Sequence, residues 1–470
     1  MTFASPAFLT LFLPLAIIAV ALGRRHGGAA GAMAAALAAS LLFYALWDWR
    51  LLPLLAASIL INHALGRRLA ARPSRALLAI GVAANLAALV WFKYALFFGE
   101  LVGLAAPGST AAVIVPLGLS FYTFQQIGYL VDVRRGHADP GDLLRYATFV
   151  SFFPQLVAGP IVRWRDLGPQ LDRLGAVRLD DPAVERGVLL TVFGLAKKTL
   201  IADPIGAMIA PAWADPGAMT AYDAWVAALG YGVQLLADFS AYGEIAVGLG
   251  LIMGVRLPVN FDAPYRATSV SDFWRRWHVT LGAFLREHVY IPLGGARHGL
   301  PRCCLALGLT MLLAGLWHGA GWAFVLWGAL HGAALILERL GGAGGLRLPP
   351  RLGHALTLGF VLLAWIPFRA GDISDAMTVL SALVGGQGTA MPLPWAQALG
   401  VAASPTLWFN GTEIVVLTLL IAWAATAPSI HAVADDILRR PTRAAAGVFA
   451  TMAAVSFSLG TEAPFLYWSF

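Results

Sequence analysis

The feature that most constrains this chain is the recurrence of apolar runs close to 20 residues long. A helix needs about 20 apolar residues to cross a hydrocarbon layer about 30 Å thick. Candidate spans fall at roughly 5–22, 28–47, 51–66, 76–99, 111–131, 221–237, 241–254, 303–317, 322–338, 354–368, 413–430 and 444–460. The runs are continuous rather than alternating every second residue, which argues against a transmembrane β-barrel. Composition agrees. Hydrophobic residues make up 59% of the 470 and charged residues 12%, against about 45–50% and about 25% in soluble domains. Mean hydropathy is +0.73. A water-soluble enzyme, a disordered chain and a disulfide scaffold are excluded. The expectation is an all-α polytopic membrane protein, with residues 1–470 as one membrane domain and no soluble domain, low-complexity linker or long repeat.

Charge between the spans orients them. Basic residues collect on the cytoplasmic side. Arg24-Arg25, the group Arg67, Arg68, Arg72 and Arg75, and Arg134-Arg135 read inside; Asp48–Arg50 and Gly103–Ala111 read outside. The N-terminus then lies outside, and the first span, with its charge after rather than before it, reads as retained rather than as a cleaved signal. The net charge of +7 is read as loop charge, not as a nucleic-acid footprint. Leu143–Pro160 is short, holds Pro154 and Gly159, and is followed by more arginines, so it reads as a re-entrant segment. Gly187–Ile201 carries Lys197-Lys198 and reads as sitting low in the membrane.

Residues 255–302 depart from the rest. They hold seven arginines, three acids and three of the ten histidines. Ser269 and Asp272 have the form of a helix start, and Pro292 with Gly294-Gly295 that of a stop. At about 100° per residue, Phe273, Trp277, Leu281, Phe284 and His288 share one arc, opposite Arg275 and Arg286. One amphipathic helix at the cytoplasmic interface is expected, with His278 at the edge of its apolar arc. Its arginines fit the inside-positive rule and lipid contact; they also fit a landing site for a phosphate-bearing donor, which arginine grips with two hydrogen bonds.

The run from Cys303 ends in Gly315-Leu316-Trp317-His318-Gly319, echoed by Gly328-Ala329-Leu330-His331-Gly332. Glycines four apart let helices approach closely. Thirteen residues are about 3.6 turns, so on one continuous helix His318 and His331 face nearly opposite sides and share no site unless Gly319 or Gly321 breaks it. A histidine inside a span is costly and marks function. His318 is read that way, and His331 as a structural hydrogen-bonding residue. Asp238, Ser240, Tyr242 and Glu244, placed between two spans, either line a polar funnel or hold helices together. Cys303 and Cys304 form neither a disulfide framework nor a metal pattern, and with no HExxH or Cys/His cluster no metal is expected.

The stretch from Asp238 to Gly295, with Arg275-Arg276-Trp277-His278 and Tyr290-Ile291-Pro292-Leu293-Gly294-Gly295, followed by Trp317-His318-Gly319, resembles the membrane-bound O-acyltransferase family, and most of all its branch for alginate O-acetylation. Residues 116–136, 152–163, 194–203, 364–370 and 464–470 extend the likeness over most of the chain. Arg286-Glu287-His288, Ala241 and Glu244 depart from the family pattern.

The resemblance implies a ring of about 11 or more transmembrane helices, with re-entrant and interfacial helices, around a central funnel. It implies two key histidines, His278 and His318, and acyl transfer from a cytoplasmic thioester to a hydroxyl. The group is expected to be acetyl and the donor acetyl-CoA, with Arg275 and Arg276 as its candidate contacts and no permanently bound cofactor. The acceptor is an extracytoplasmic polysaccharide or a partner acetyltransferase that relays the group. The setting is the cell inner membrane, multi-pass, without nucleic acid. The competing class is a polytopic transporter or acyl-group channel without its own chemistry; midplane polar residues suit it, but no inverted repeat accompanies them.

Overall fold

The computed structural model describes residues 1–103, 116–157, 159–178, 180–390, 392–400, 408–440, 442–460, 463, 465 and 466. Among these, regular structure is helical throughout, with no strand. That is what a hydrocarbon solvent demands, since a helix satisfies its backbone hydrogen bonds within itself. Six helices are long and apolar enough to cross a membrane, and an interrupted pair, Thr412–Thr426 with Ile430–Arg439, would make a seventh. The expected number of spans is larger partly because Phe8–Ala71 counts as one helix of 64 residues. At 1.5 Å per residue it measures roughly 96 Å, long enough for three passes. Gly28 turns it with φ 61° and ψ −146°, and Gly23 and Gly31 touch backbone to backbone across that turn, where a Cβ on either would strike the other's carbonyl.

The chain forms two compact units. The first comprises Met1–Ala196, Ala241–Asn260 and His431–Ser469. Phe3, Phe8, Phe12, Phe43 and Phe153 cluster in its core, with centroids 5.0 Å apart for Phe3 and Phe8 and 5.4 Å for Phe12 and Phe153. Asn62 and Asn85 join two of its helices through amides, Asn85 Nδ2 donating to Asn62 Oδ1 at 2.7 Å. Each amide satisfies the other away from water. Leu143–Ser151 is a buried helix of nine residues, roughly 14 Å long and too short to cross. It breaks at Phe152, and Phe153–Leu156 follows. The expected span 111–131 is seen as helix Leu119–Arg134; residues 111–115, and 104–111 of the loop read as outside, lie beyond the described residues, as do most of 464–470.

The second unit comprises Lys197–Ser240 and Phe261–Ile430. Here one expectation is corrected. The separate spans 221–237 and 241–254 are a single helix, Ala221–Ile252, of 32 residues. Asp238, Ser240, Tyr242 and Glu244 are not a loop but buried positions within it. No proline interrupts this stretch, and Asp238 finds a cation, so nothing compels the helix to stop. Helices Gly299–His318 and Trp322–Ala343 form a closely packed hairpin. Its glycines explain why. A Cβ on Gly315 would come 3.1 Å from Gly328 Cα, and one on Gly332 would come 3.4 Å from Gly308 Cα. The two histidine-centred motifs are therefore the seam of the hairpin.

Gly328→Val drives a branched side chain onto the Met311 carbonyl and to within 3.2 Å of Leu312 Cα. Overpacking of this kind costs about 1–3 kcal/mol. The expected outcome is a lower thermal midpoint in detergent, while Gly342→Ala, with open space at its Cβ, leaves the midpoint unchanged or raises it.

Candidate active site

The segment rich in arginine and histidine is not one helix. Ser269 caps it as expected, its Oγ accepting from Asp272 N at 3.1 Å. Helix Val270–Arg276 then ends, and a second, Val279–Leu285, begins after His278, followed by a π-turn at Arg286–Tyr290. The break is Trp277, which is extended, and His278, which is left-handed at φ 45° and ψ 53°. For a residue with a Cβ that conformation costs roughly 1–2 kcal/mol, and such strain gathers at functional positions. The sidedness survives the break. Phe273, Trp277, Leu281 and Phe284 are buried, while Arg275 and Arg286 are exposed. His288 packs on Phe284, centroids 4.5 Å apart, and is half-buried.

The kink delivers His278 to a wholly buried position. Its ring meets Phe239 edge-on at 4.9 Å and Trp317 at 5.9 Å. Burial disfavours imidazolium and pushes His278 down to about 3, so the ring is neutral at physiological pH.

His318 is the last residue of helix Gly299–His318, and Gly319 and Gly321 that follow are both extended. This is the break on which a shared site depended. A Cβ on Gly319 would strike the Phe324 ring, so the turn needs glycine there. His318 is buried and meets three rings nearly edge-on: Trp317 at 4.9 Å, Trp327 at 4.9 Å and Phe368 at 5.0 Å. His278 and His318, forty residues apart, thus pack on the same indole, Trp317. The Trp317 of the Trp-His-Gly motif is the residue that sequence reasoning passed over, although its place beside His318 was in view.

His331 also belongs to this cluster. Trp274 Nε1 donates to His331 Nδ1 at 3.3 Å, and Trp327 lies 4.8 Å from its ring. Arg275 and Arg276 sit at the end of the helix before His278. Arg276 Nε pairs with Asp272 at 3.1 Å and its Nη1 donates to the Asp262 carbonyl at 3.3 Å. Arg275 reaches Asp272 at 3.5 Å with a side chain 69% exposed.

A second polar group in this unit is an ion triad. Lys198 Nζ lies 2.7 Å from Asp203 Oδ1 and 2.8 Å from Asp238 Oδ1. Lys198 and Asp238 are both buried. Burial by itself lowers the Lys198 ammonium, but Asp238 and Asp203 outweigh it and hold the group above its ordinary value. Lys197 Nζ donates to Ser240 Oγ at 2.6 Å. The two lysines open a π-turn, Lys198–Ala202. Of the tetrad expected in a funnel or a packing network, Asp238 and Ser240 hold neighbouring lysines. Glu244 is buried in the part of the helix that belongs to the first unit.

Comparison with known proteins identifies the family. Residues 132–343 match the model of the membrane-bound O-acyltransferase family. A peptidoglycan O-acetyltransferase of Helicobacter pylori is 37% identical over 75% of this chain and 74% of that protein. A probable alginate O-acetylase of Pseudomonas putida is 35% identical over the full length of both. A teichoic acid D-alanyltransferase of Streptococcus thermophilus is 26% identical over 49% of this chain and 58% of its own length. The chain belongs to the membrane-bound O-acyltransferase family, and it is a multi-pass membrane O-acyltransferase.

The His278 environment carries a stability prediction. Between about pH 6.5 and about pH 3 the unfolded chain binds a proton at this ring that the folded protein refuses. Its stabilising contribution is complete above pH 6.5 and falls as pH drops toward 3, by up to about 1.4 kcal/mol per unit. His278→Asn tolerates the left-handed backbone and removes the titration. Thermal midpoints in detergent at pH 7 and pH 5 should fall further for wild type than for His278→Asn.

Proposed function

We propose that this protein moves an acetyl group from acetyl-CoA, supplied on the cytoplasmic side of the cell inner membrane, to a hydroxyl of an extracytoplasmic polysaccharide, directly or through a partner acetyltransferase. Three relatives named for action on alginate, peptidoglycan and teichoic acid support an envelope polymer as the final acceptor. The observation that carries the catalytic reading is the convergence of buried His278 and His318 on Trp317.

His318 acts as the general base. It takes the acceptor hydroxyl's proton as the oxygen attacks the thioester carbonyl, because burial disfavours imidazolium and leaves a neutral ring able to accept it. As the C–S bond breaks, the same proton passes from His318 to the departing thiolate, so charge and protons balance. His278, neutral because it is buried, donates a ring N–H to the carbonyl oxygen as negative charge develops there, or orients the donor beside it. Arg275, exposed at the entry to this segment, and Arg276 beside it contact the donor's phosphates.

His318→Ala and His278→Ala are each expected to abolish O-acetylation of surface polysaccharide at membrane levels matched to wild type. Arg275→Ala is expected to raise the KM for acetyl-CoA with little change in kcat, because phosphate contacts persist through the reaction. Full acetylation by His318→Ala would defeat its assignment as base.

A further inference from the structure

We infer that His331 is a positioning residue for His318 and acts through Trp327; the inference rests on the acyl-transfer reading above. The break at Gly319–Gly321 folds the second helix of the hairpin back along the first. Two histidines that a continuous helix would face apart are thereby brought to one indole. Trp327 meets His318 at 4.9 Å and 82°, and His331 at 4.8 Å and 57°.

Trp327 is wholly buried, and its Nε1 has no hydrogen-bond partner among the described residues. No polar bond to that nitrogen sets its ring; the surrounding rings do. Trp365 stacks at 5.9 Å and 18°, Phe368 and Trp274 approach at 5.2 Å and 5.8 Å, and the two imidazoles complete the set. His331 brings a directional contact to this set, shared with Trp274. Its Nδ1 accepts the Trp274 indole N–H at 3.3 Å. A ring nitrogen that accepts a hydrogen bond carries no proton, so neutral His331 holds its proton on Nε2. It is an ordered neutral ring rather than a second base.

The line Trp274, His331, Trp327, His318 therefore runs from the helix that bears Arg275 and Arg276 to the proposed base. Aromatic rings that meet edge to face resist rotation. A catalytic imidazole held on three sides by rings keeps its angle only while those rings keep theirs, and the Trp274–His331 hydrogen bond fixes His331 within the set.

The test measures kcat and the KM for acetyl-CoA on purified protein, using radiolabelled acetyl-CoA and a soluble polysaccharide acceptor. His331→Phe keeps an aromatic ring but offers Trp274 no acceptor. It is expected to lower kcat about tenfold or more, as small misplacements of a catalytic group do, with KM unchanged. His331→Asn places an amide oxygen near the position of Nδ1 and should recover most of that loss, which a role as filler would not allow. Trp327→Phe should lower kcat in the same way, and the double variant H331F/W327F should be no slower than the slower single, because both act through one ring. Wild-type kcat in His331→Phe, no recovery in His331→Asn, or losses that multiply in the double variant would each overturn the role. Should His331→Phe fail to insert, Trp274→Phe, which removes the donor to His331 Nδ1 and leaves Trp327 in place, decides: a lowered kcat at unchanged KM supports the relay and a wild-type kcat overturns it. Absence of transfer by the wild-type protein, both with the polysaccharide alone and with a cell extract added to supply the partner acetyltransferase, would instead defeat the acyl-transfer reading, and this role with it.

Discussion

A polar side chain in hydrocarbon has no water to turn to, and that constraint organises this protein. Each buried polar group must find another polar group or the edge or face of an aromatic ring. Lys198 finds two carboxylates, Asp203 and Asp238. Asn62 and Asn85 find each other. The histidines find indoles. His278 and His318 share Trp317, and His318 and His331 share Trp327. Aromatic walls hold a neutral imidazole without charging it, which suits a group that must accept a proton and then return it.

The second constraint is backbone geometry at two short breaks. At His278 a left-handed residue divides what would be one amphipathic helix. At Gly319–Gly321 two extended glycines divide what would be one long helix. Both breaks sit beside the proposed catalytic rings. The first turns His278 inward while leaving Arg275 outward. The second returns the chain so that Gly315 faces Gly328 and the two histidine motifs lie along one seam. Close approach of the two helices is affordable only because glycine has no side chain at these positions.

Much of the candidate site was legible in the sequence. His318, Arg275 and Arg276 stand out by type and position, His278 through the family resemblance, and the Ser269 cap and the apolar arc of Phe273, Trp277, Leu281 and Phe284 through local pattern and periodicity. What was not legible has a common cause. Periodicity assumes a continuous helix, so it missed the break at His278, whose αL conformation reflects the surroundings rather than any local signal from a non-glycine residue. The opposite error arose at Asp238–Glu244, where acids read as an interruption between spans. Their helix continues because Lys198, forty residues earlier, neutralises Asp238. The structural, hydrogen-bonding part read for His331 agrees with its bond to Trp274; its place beside the same indole as His318 was hidden, because spacing on one continuous helix put the two rings apart.

By itself the sequence determined the class of the protein, its all-helical character and the family to which it belongs. These rest on the sheer amount of apolar surface and on motifs of contiguous residues, both of which are local and additive. Tertiary structure alone decided which polar groups meet: Lys198 with Asp203 and Asp238, His278 with Trp317, and Trp327 with both His318 and His331. Those pairings join residues 4 to 40 positions apart, and the pairings among the rings depend on two backbone breaks of two and three residues. A few dihedral angles there redirect whole helices, so the meeting of the rings is a property of the folded chain and not of any segment read alone.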